Sequence, residues 1–213
     1  TGGFGNIAIG DEALKGGHTG SWNTSDTFRG NYNTAVGYQS MILLKGFAAS
    51  SNSAFGRQAG DNITTGSNNT CIGGGSDASS ATVSNEITLG DTNISTLRCN
   101  DTSISSLSDG RDKTEIVDLP AGLEFLNTLR PVKFKWQTRD GNGKDGLTRA
   151  GFIAQDLQSA QTNHNYLDLV MDNNPDKLEA KQEHLIPVLV QAIKDLSAKN
   201  DALEARIKTL EES

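Results

Sequence analysis

The sequence predicts a mostly β amino-terminal repeat followed by an α+β domain that ends in a long coiled-coil helix. Three observations carry that expectation. Most of the 23 glycines, with abundant Asn, Ser and Thr, lie in the first half, whereas most leucines and charges lie in the second. A short unit of Asn, any residue, a small residue, an aliphatic residue and Gly recurs through the first half. From Ile186 onward the apolar residues follow a heptad.

The repeat comes first in the chain. Asn33-Thr34-Ala35-Val36-Gly37-Tyr38-Gln39-Ser40 aligns with Asn52-Ser53-Ala54-Phe55-Gly56-Arg57-Gln58-Ala59. Its core returns as Asn6-Ile7-Ala8-Ile9-Gly10, as Asn69-Thr70-Cys71-Ile72-Gly73 and, with one extra residue, as Asn85-Glu86-Ile87-Thr88-Leu89-Gly90. The repeating glycines at 10, 37, 56, 73 and 90 are spaced 27, 19, 17 and 17 residues apart. A fixed core at unequal spacing predicts short strands stacked as coils with insertions confined to loops, Gly16 to Asn31 with Trp22 being one. In a strand the small residue and the glycine share one face and the aliphatic residue takes the other. A disordered linker would have a similar composition but no reason to repeat an aliphatic-Gly pair. Such coils hold too little aliphatic bulk for a self-sufficient core, so neighbouring chains are expected to supply the rest.

Residues 91–107 continue with spaced apolar positions at Ile94, Leu97, Ile104 and Leu107, read as strand or intertwined coil. Ser108-Asp109-Gly110-Arg111-Asp112-Lys113 follows, and on spacing alone it is a polar turn around Asp-Gly. The segment from Pro120 to Asn173 reads as helix, strand (132–138), a glycine-rich hairpin loop (140–146), strand (147–153) and a short helix. Last comes the heptad, with Ile186, Ile193 and Ile207 at one position and Leu189, Leu196, Leu203 and Leu210 at the other. Asn200 takes the first position in the remaining heptad, where a polar residue fixes register at some cost in stability. The coiled coil is expected over about 183–212. Ile and Leu in these positions by themselves lean towards a dimer.

Composition also excludes. A net charge of −7 and a pI near 4.9 repel nucleic acid and anionic membrane surfaces, so neither is expected as a partner. No apolar run approaches the roughly 20 residues of a membrane span, and Thr1 opens no signal peptide, so the start reads as that of a fragment. Cys71 and Cys99 have no metal-binding or redox spacing and read as buried or idle thiols, with a disulfide as the alternative. His18, His164 and His184 are scattered, so neither a metal nor another cofactor is expected.

Four blocks in order change the reading of the polar turn. Ser108 to Lys113, then Leu129-Arg130-Pro131-Val132-Lys133-Phe134-Lys135-Trp136, then Gly151-Phe152-Ile153-Ala154-Gln155-Asp156-Leu157, then Leu185-Ile186-Pro187-Val188-Leu189-Val190 with the Ala192-Ile193-Lys194-Asp195-Leu196 helix, together resemble the intramolecular chaperone autoprocessing domain, peptidase family S74, which closes phage endosialidases, tail spikes and tail fibres. The repeats over about 1–90 resemble the head repeats of trimeric adhesins, a left-handed parallel β-roll in which three chains pack side by side.

The two resemblances imply residues 1–107 as the β-roll end of a fibre and 108–213 as the chaperone. They imply Ser108 and Lys113 as a catalytic Ser-Lys pair, Asp109 and Arg111 in support, and a cut between Leu107 and Ser108. They also imply a homotrimer, assembly in the host cytoplasm, a place in the virion tail fibre, and a host-surface glycan or protein as receptor. The alternative is a receptor-binding adhesin tip carried on a purely structural trimerisation domain.

The chemistry sets its own demands. A serine hydroxyl needs a base, and a free lysine with a pKa near ~10.4 is a cation at neutral pH. Making it a base means disfavouring the ammonium by roughly 4 kcal/mol. Burial against a neighbouring subunit and the charge of Arg111 push that way, while Asp109 and Asp112 oppose it unless they point elsewhere. A strained turn at Asp109-Gly110 is expected to present the Leu107 carbonyl.

Overall fold

A computed structural model describes residues 3–16, 30–45, 49–101, 103–137, 139 and 146–212. The insertion around Trp22 and most of the 140–146 loop lie outside the described residues. The chain divides into two compact units, with Thr1–Arg98 in the first and Cys99–Trp136 and Lys144–Ser213 in the second.

The first unit is built from one short strand per repeat. β1 (Ile7–Ile9), β2 (Thr34–Val36), β3 (Ser53–Phe55), β4 (Thr70–Ile72) and β5 (Ile87–Leu89) form a single parallel sheet in sequence order. The register repeats from rung to rung, with Ala8, Ala35, Ala54, Cys71 and Thr88 stacked in one row. In the three middle rungs that row is buried, and Ala35, Ala54 and Cys71 join Met41, Leu44, Ala49, Ala59, Ile63 and Ala78 in a core, whereas Ala8 at the first rung is exposed and Thr88 at the last half-buried. On the opposite row Ile9, Phe55, Ile72 and Leu89 are exposed and Val36 is half-buried. Cys71 and Cys99 are free thiols, the first buried and the second exposed, and burial raises the Cys71 thiol to about 11.

The asparagine that opens each unit explains why the coils stack. A carboxamide carries an acceptor and a two-hydrogen donor, so one buried side chain can bond both the rung before it and the rung after it. Asn52 donates from its backbone N (3.0 Å) and Nδ2 (3.0 Å) to Asn33 Oδ1, and Nδ2 also reaches Gly66 O at 2.9 Å. Asn69 repeats this on Asn52 Oδ1, and Asn33 repeats it on Asn6 Oδ1. Asn33, Asn52 and Asn69 are fully buried, and satisfied amides avoid the roughly 1–3 kcal/mol cost of an orphaned buried polar group.

The last copy aligns differently from the expectation. Thr70 pairs with Ile87, so Glu86 and not Asn85 stands on the ladder, and no residue is inserted. The Glu86 N–H still bonds Asn69 Oδ1 at 3.1 Å, but its carboxylate turns to the Ser79 N–H and hydroxyl at 2.6 and 2.5 Å. A carboxylate has no hydrogen to pass on, so the ladder ends here. The glycine of each unit is set by its neighbour: Gly56 has φ +141, and a Cβ there would lie 2.5 Å from Gly73 O.

A carboxyl pair joins two of the turns. The Asn62 N–H donates to Asp77 Oδ1 at 3.3 Å, and the Asp77 and Asp61 side chains meet. Burial first, then the Asp61 charge, push Asp77 up to about 6, and burial also raises Asp61. A carboxyl raised on folding gives stability that is complete below its unfolded value near ~3.9 and is lost as pH rises through about 6. Thermal melts should therefore give Asp77→Asn a gain over wild type at pH 7.5 that shrinks to nothing at pH 4.

The second unit joins an α+β core to a long helix. After Pro120, α1 (Leu123–Leu126) is a single turn, shorter than the expected helix, and it ends before Pro131. β6 (Val132–Lys135) pairs antiparallel with β7 (Thr148–Gly151), and α2 (Ala154–Ala160) follows. A small antiparallel pair, β8 (Val170–Met171) with β9 (Glu179–Ala180), leads to α3 (Leu185–Glu211). Pro187 is tolerated because it sits in the first turn of α3, where its missing N–H has no partner to lose. Ala121, Phe125, Leu157, Leu167, Leu169, Val170, Leu185 and Val188 form the core.

Asp195 ties α3 back to α1, accepting the Leu123 N–H at 2.9 Å. That backbone donor, then Gln191, hold its carboxyl below the usual range. Gly122 leaves room for this contact, since a Cβ there would fall 2.0 Å from Asp195 Oδ2 and displace the carboxylate.

Candidate functional site

Between β5 and α1 the described residues form no strand, and the spaced apolar residues face solvent. Ile104 is 98% exposed and Leu107 101%, so within one chain nothing covers them. The polar segment that follows is ordered by its own short-range bonds. Asp109 is extended (φ −67, ψ 130) and its carboxylate accepts the Arg111 N–H at 2.9 Å, opening a 3-10 turn over Gly110–Asp112. The Asp112 N–H donates to Asp109 O at 3.1 Å and the Lys113 N–H to Gly110 O at 3.3 Å, closing it. One such turn carries the chain around so that residue 113 comes back over residue 108.

The consequence is a direct contact: Lys113 Nζ donates to Ser108 Oγ at 2.6 Å. Asp109 is turned away from that amine. Its carboxylate holds Arg111 through Nε (3.1 Å to each oxygen) and Nη2 (2.6 Å). The Arg111 side chain, then its backbone N–H, hold the Asp109 carboxyl below its ordinary value, and the Asp109 carboxylate in turn raises Arg111. The Arg111 guanidinium is thus matched by the Asp109 carboxylate.

The expected strain is absent as well. Gly110 is not left-handed, a Cβ there would meet nothing within 4 Å, and the left-handed residue nearby is Glu115 at φ 55. All of Ser108 to Lys113 is exposed in the single chain.

The blocks downstream hold the unit together. Arg130 Nη2 and Nε reach Asp156 Oδ2 at 2.7 and 2.9 Å, joining the β6 block to the α2 block. Asp195 stood in the fourth block only as part of its helix, and its bond to Leu123 was not legible there, since that partner is a backbone N–H 72 residues away. Among the described residues no group of three or more His, Cys, Asp or Glu converges as a metal site, and no helix is long and apolar enough to cross a membrane.

A family model described as the chaperone of endosialidase, peptidase S74, matches residues 108–166. The match opens on Ser108 and takes in the Lys113 contact, the β6–β7 hairpin and α2, and it does not reach the repeats. No curated protein and no solved structure matches the chain significantly.

Proposed function

Residues 108–166 are a chaperone-of-endosialidase segment of peptidase family S74, and from that premise we propose that this chain is the carboxy-terminal part of a phage tail fibre or spike. In this reading residues 108–213 direct homotrimer assembly and then leave by a single self-cleavage between Leu107 and Ser108. The observation that carries it is the 2.6 Å contact between Lys113 Nζ and Ser108 Oγ, one residue beyond the bond to be cut.

The steps balance without an outside substrate. Lys113, as the neutral amine, takes the Ser108 hydroxyl proton while Oγ bonds to the Leu107 carbonyl carbon. The C–N bond breaks, the Ser108 nitrogen takes that proton back from the Lys113 ammonium, and Leu107 is left as an ester on Oγ. Water hydrolyses the ester, giving a Leu107 carboxylate and a Ser108 with a free α-amine.

The exposed position of the site in one chain assigns a role to the others. Burial is the remaining means of disfavouring the ammonium once Arg111 is paired with Asp109. Neighbouring copies would supply it, which makes cleavage follow assembly. The same need for partners runs along the molecule: the outward row Ile9, Phe55, Ile72 and Leu89 and the heptad positions of α3, from Leu189 at 43% to Ile193 at 67%, are exposed. Full burial of each such side chain is worth about 1.5–3 kcal/mol. A trimeric β-roll over 1–107 and a trimeric coiled coil over α3 would cover both.

This reading places the protein in the virion tail fibre after assembly in the host cytoplasm. A glycan or protein receptor follows from the same family setting, and no described residue is assigned to it. The test is intact mass under denaturing conditions beside native mass. Two fragments meeting at Leu107–Ser108 from a threefold oligomer are expected, and an uncut monomer would refute the reading.

A further inference from the structure

We propose that the corner before each strand of the first unit is a docking strip for a neutral glycan, with one sugar ring seated on Phe4 and Tyr32; this rests on the tail-fibre reading for there being a receptor, and adds its chemical class and place. The observation is a departure inside a regular corner. The residue before each ladder position is left-handed in all five coils: Gly5 (φ 69), Tyr32 (φ 58), Ser51 (φ 61), Asn68 (φ 57) and Asn85 (φ 66). Gly and Asn take that conformation readily, whereas a bulky side chain there is an outlier that the surrounding structure must hold in strain.

One residue earlier the pattern departs again. Asn31, Ser50, Ser67 and Ser84 are polar, and each side chain accepts a backbone N–H from the coil before it, at 3.0, 3.0, 3.1 and 2.9 Å. Phe4 stands at the head of that column. The two aromatic departures fall side by side, their rings edge to face with centroids 5.4 Å apart. The Tyr32 ring lies against Gly5, where a Cβ would come within 2.6 Å of Cδ1, and the Tyr32 N–H donates to Phe4 O at 3.0 Å. So fixed, Phe4 is still 61% and Tyr32 60% exposed. Packing within the coils therefore does not account for the strained tyrosine.

The surroundings choose the occupant. Residues 3–5, 30–32, 49–51, 66–68 and 83–85 include no charged side chain, in a chain that carries 19 basic and 26 acidic ones. Among the described residues, Tyr32 Oη, Asn31 Nδ2 and Ser51 Oγ have no hydrogen-bond partner. A charged ligand would find nothing to pair with on this strip. A sugar ring has an apolar C–H face and a rim of hydroxyls. Its C–H groups suit the electron-rich face of an aromatic ring, and its hydroxyls suit the open amide and hydroxyl groups of the adjoining coils. Successive coils repeat roughly 4.7–4.9 Å apart, so the strip can follow a linear chain of sugars.

Tyr32→Asn gives this coil the residue that two other corners carry, so it keeps the left-handed turn and removes the ring. The full chain and this variant are tested on an array of neutral oligosaccharides ending in glucose, galactose, N-acetylglucosamine or rhamnose, with sialylated and sulfated ones as charged controls. Native mass and the cut at Leu107–Ser108 are read on the same samples. Wild type should bind neutral oligosaccharides equally well at low and high salt, since no charge is screened. Tyr32→Asn should bind at least about tenfold more weakly, while matching wild type in oligomer and in cut.

Equal binding by the variant takes the site away from Tyr32, and a preference for the charged controls that falls with salt overturns the neutral class. A variant that loses the wild-type oligomer makes the aromatic pair a contact between copies instead. A cut, trimeric wild type that binds none of the neutral probes overturns the docking strip and leaves the tail-fibre reading standing. An uncut monomer that binds them through Tyr32 does the reverse.

Discussion

Replacing Lys113 by methionine should leave a full-length chain where wild type yields fragments meeting at Leu107–Ser108. The amine lies 2.6 Å from Ser108 Oγ, within reach for direct proton transfer, and removing a positioned base costs about 10²–10⁴-fold. On a single-turnover reaction that loss lengthens the half-time of the cut by the same factor. Ser108→Ala should abolish the cut outright, because the ester cannot form. Lys113→Arg is the sharper variant. It keeps the charge and much of the length, so a lysine that merely anchors the turn through its charge would be replaced well, yet a guanidinium does not give up a proton in proteins. Denaturing mass spectrometry over a time course decides: a Lys113→Arg chain that still cuts at the wild-type rate removes lysine from the chemistry, and any cut at Leu107–Ser108 in Ser108→Ala removes the nucleophile. Asp109→Asn should slow the reaction less, since that carboxylate faces Arg111 and organises the 3-10 turn.

How much of this was legible beforehand follows from the range of the interactions. The positions of the five strands were readable because the unit Asn, any, small, aliphatic, Gly satisfies its needs within one coil and the next, and the paired register matches the glycine spacings rung for rung. The last copy misled because Glu86 carries a backbone N–H like any other residue, so it can receive the ladder although its side chain cannot extend it. The hairpin and α2 emerged near their expected places, with β6 starting where expected and ending at Lys135 and β7 shorter at both ends.

The expected helix after Pro120 is the single turn α1, and its N-terminus is capped by Asp195 of α3, a tertiary partner that no local pattern announces. At the site the Ser108 to Lys113 spacing read as a turn, and it is one. What spacing could not give was which carboxylate takes Arg111 and which side chain Lys113 reaches, since those are settled by side-chain rotamers around a turn of three residues.

The exposed seam of α3 leads to the other large effect, and it joins assembly to chemistry. Leu196 and Leu203, both 57% exposed in one chain, would each be covered in a threefold coil. Leu196→Asp with Leu203→Asp removes about 1.5–3 kcal/mol of burial per side chain in each of three copies, and it places carboxylates in an apolar seam. The loss per trimer, on the order of 10 kcal/mol, exceeds what a short coil can spare, so native mass should find monomers. Ala205→Asp, on the outer face of the same helix, should change nothing. The cut should disappear with the trimer although Ser108 and Lys113 are untouched, because nothing in one chain buries their contact. The doubly substituted chain therefore separates two views of the site. If it is monomeric and uncut, the active geometry is completed by neighbouring copies and proteolysis reports finished assembly. If it is monomeric and still gives the Leu107 and Ser108 fragments, the pair held by the 3-10 turn is sufficient by itself, and the coupling of cleavage to assembly is wrong.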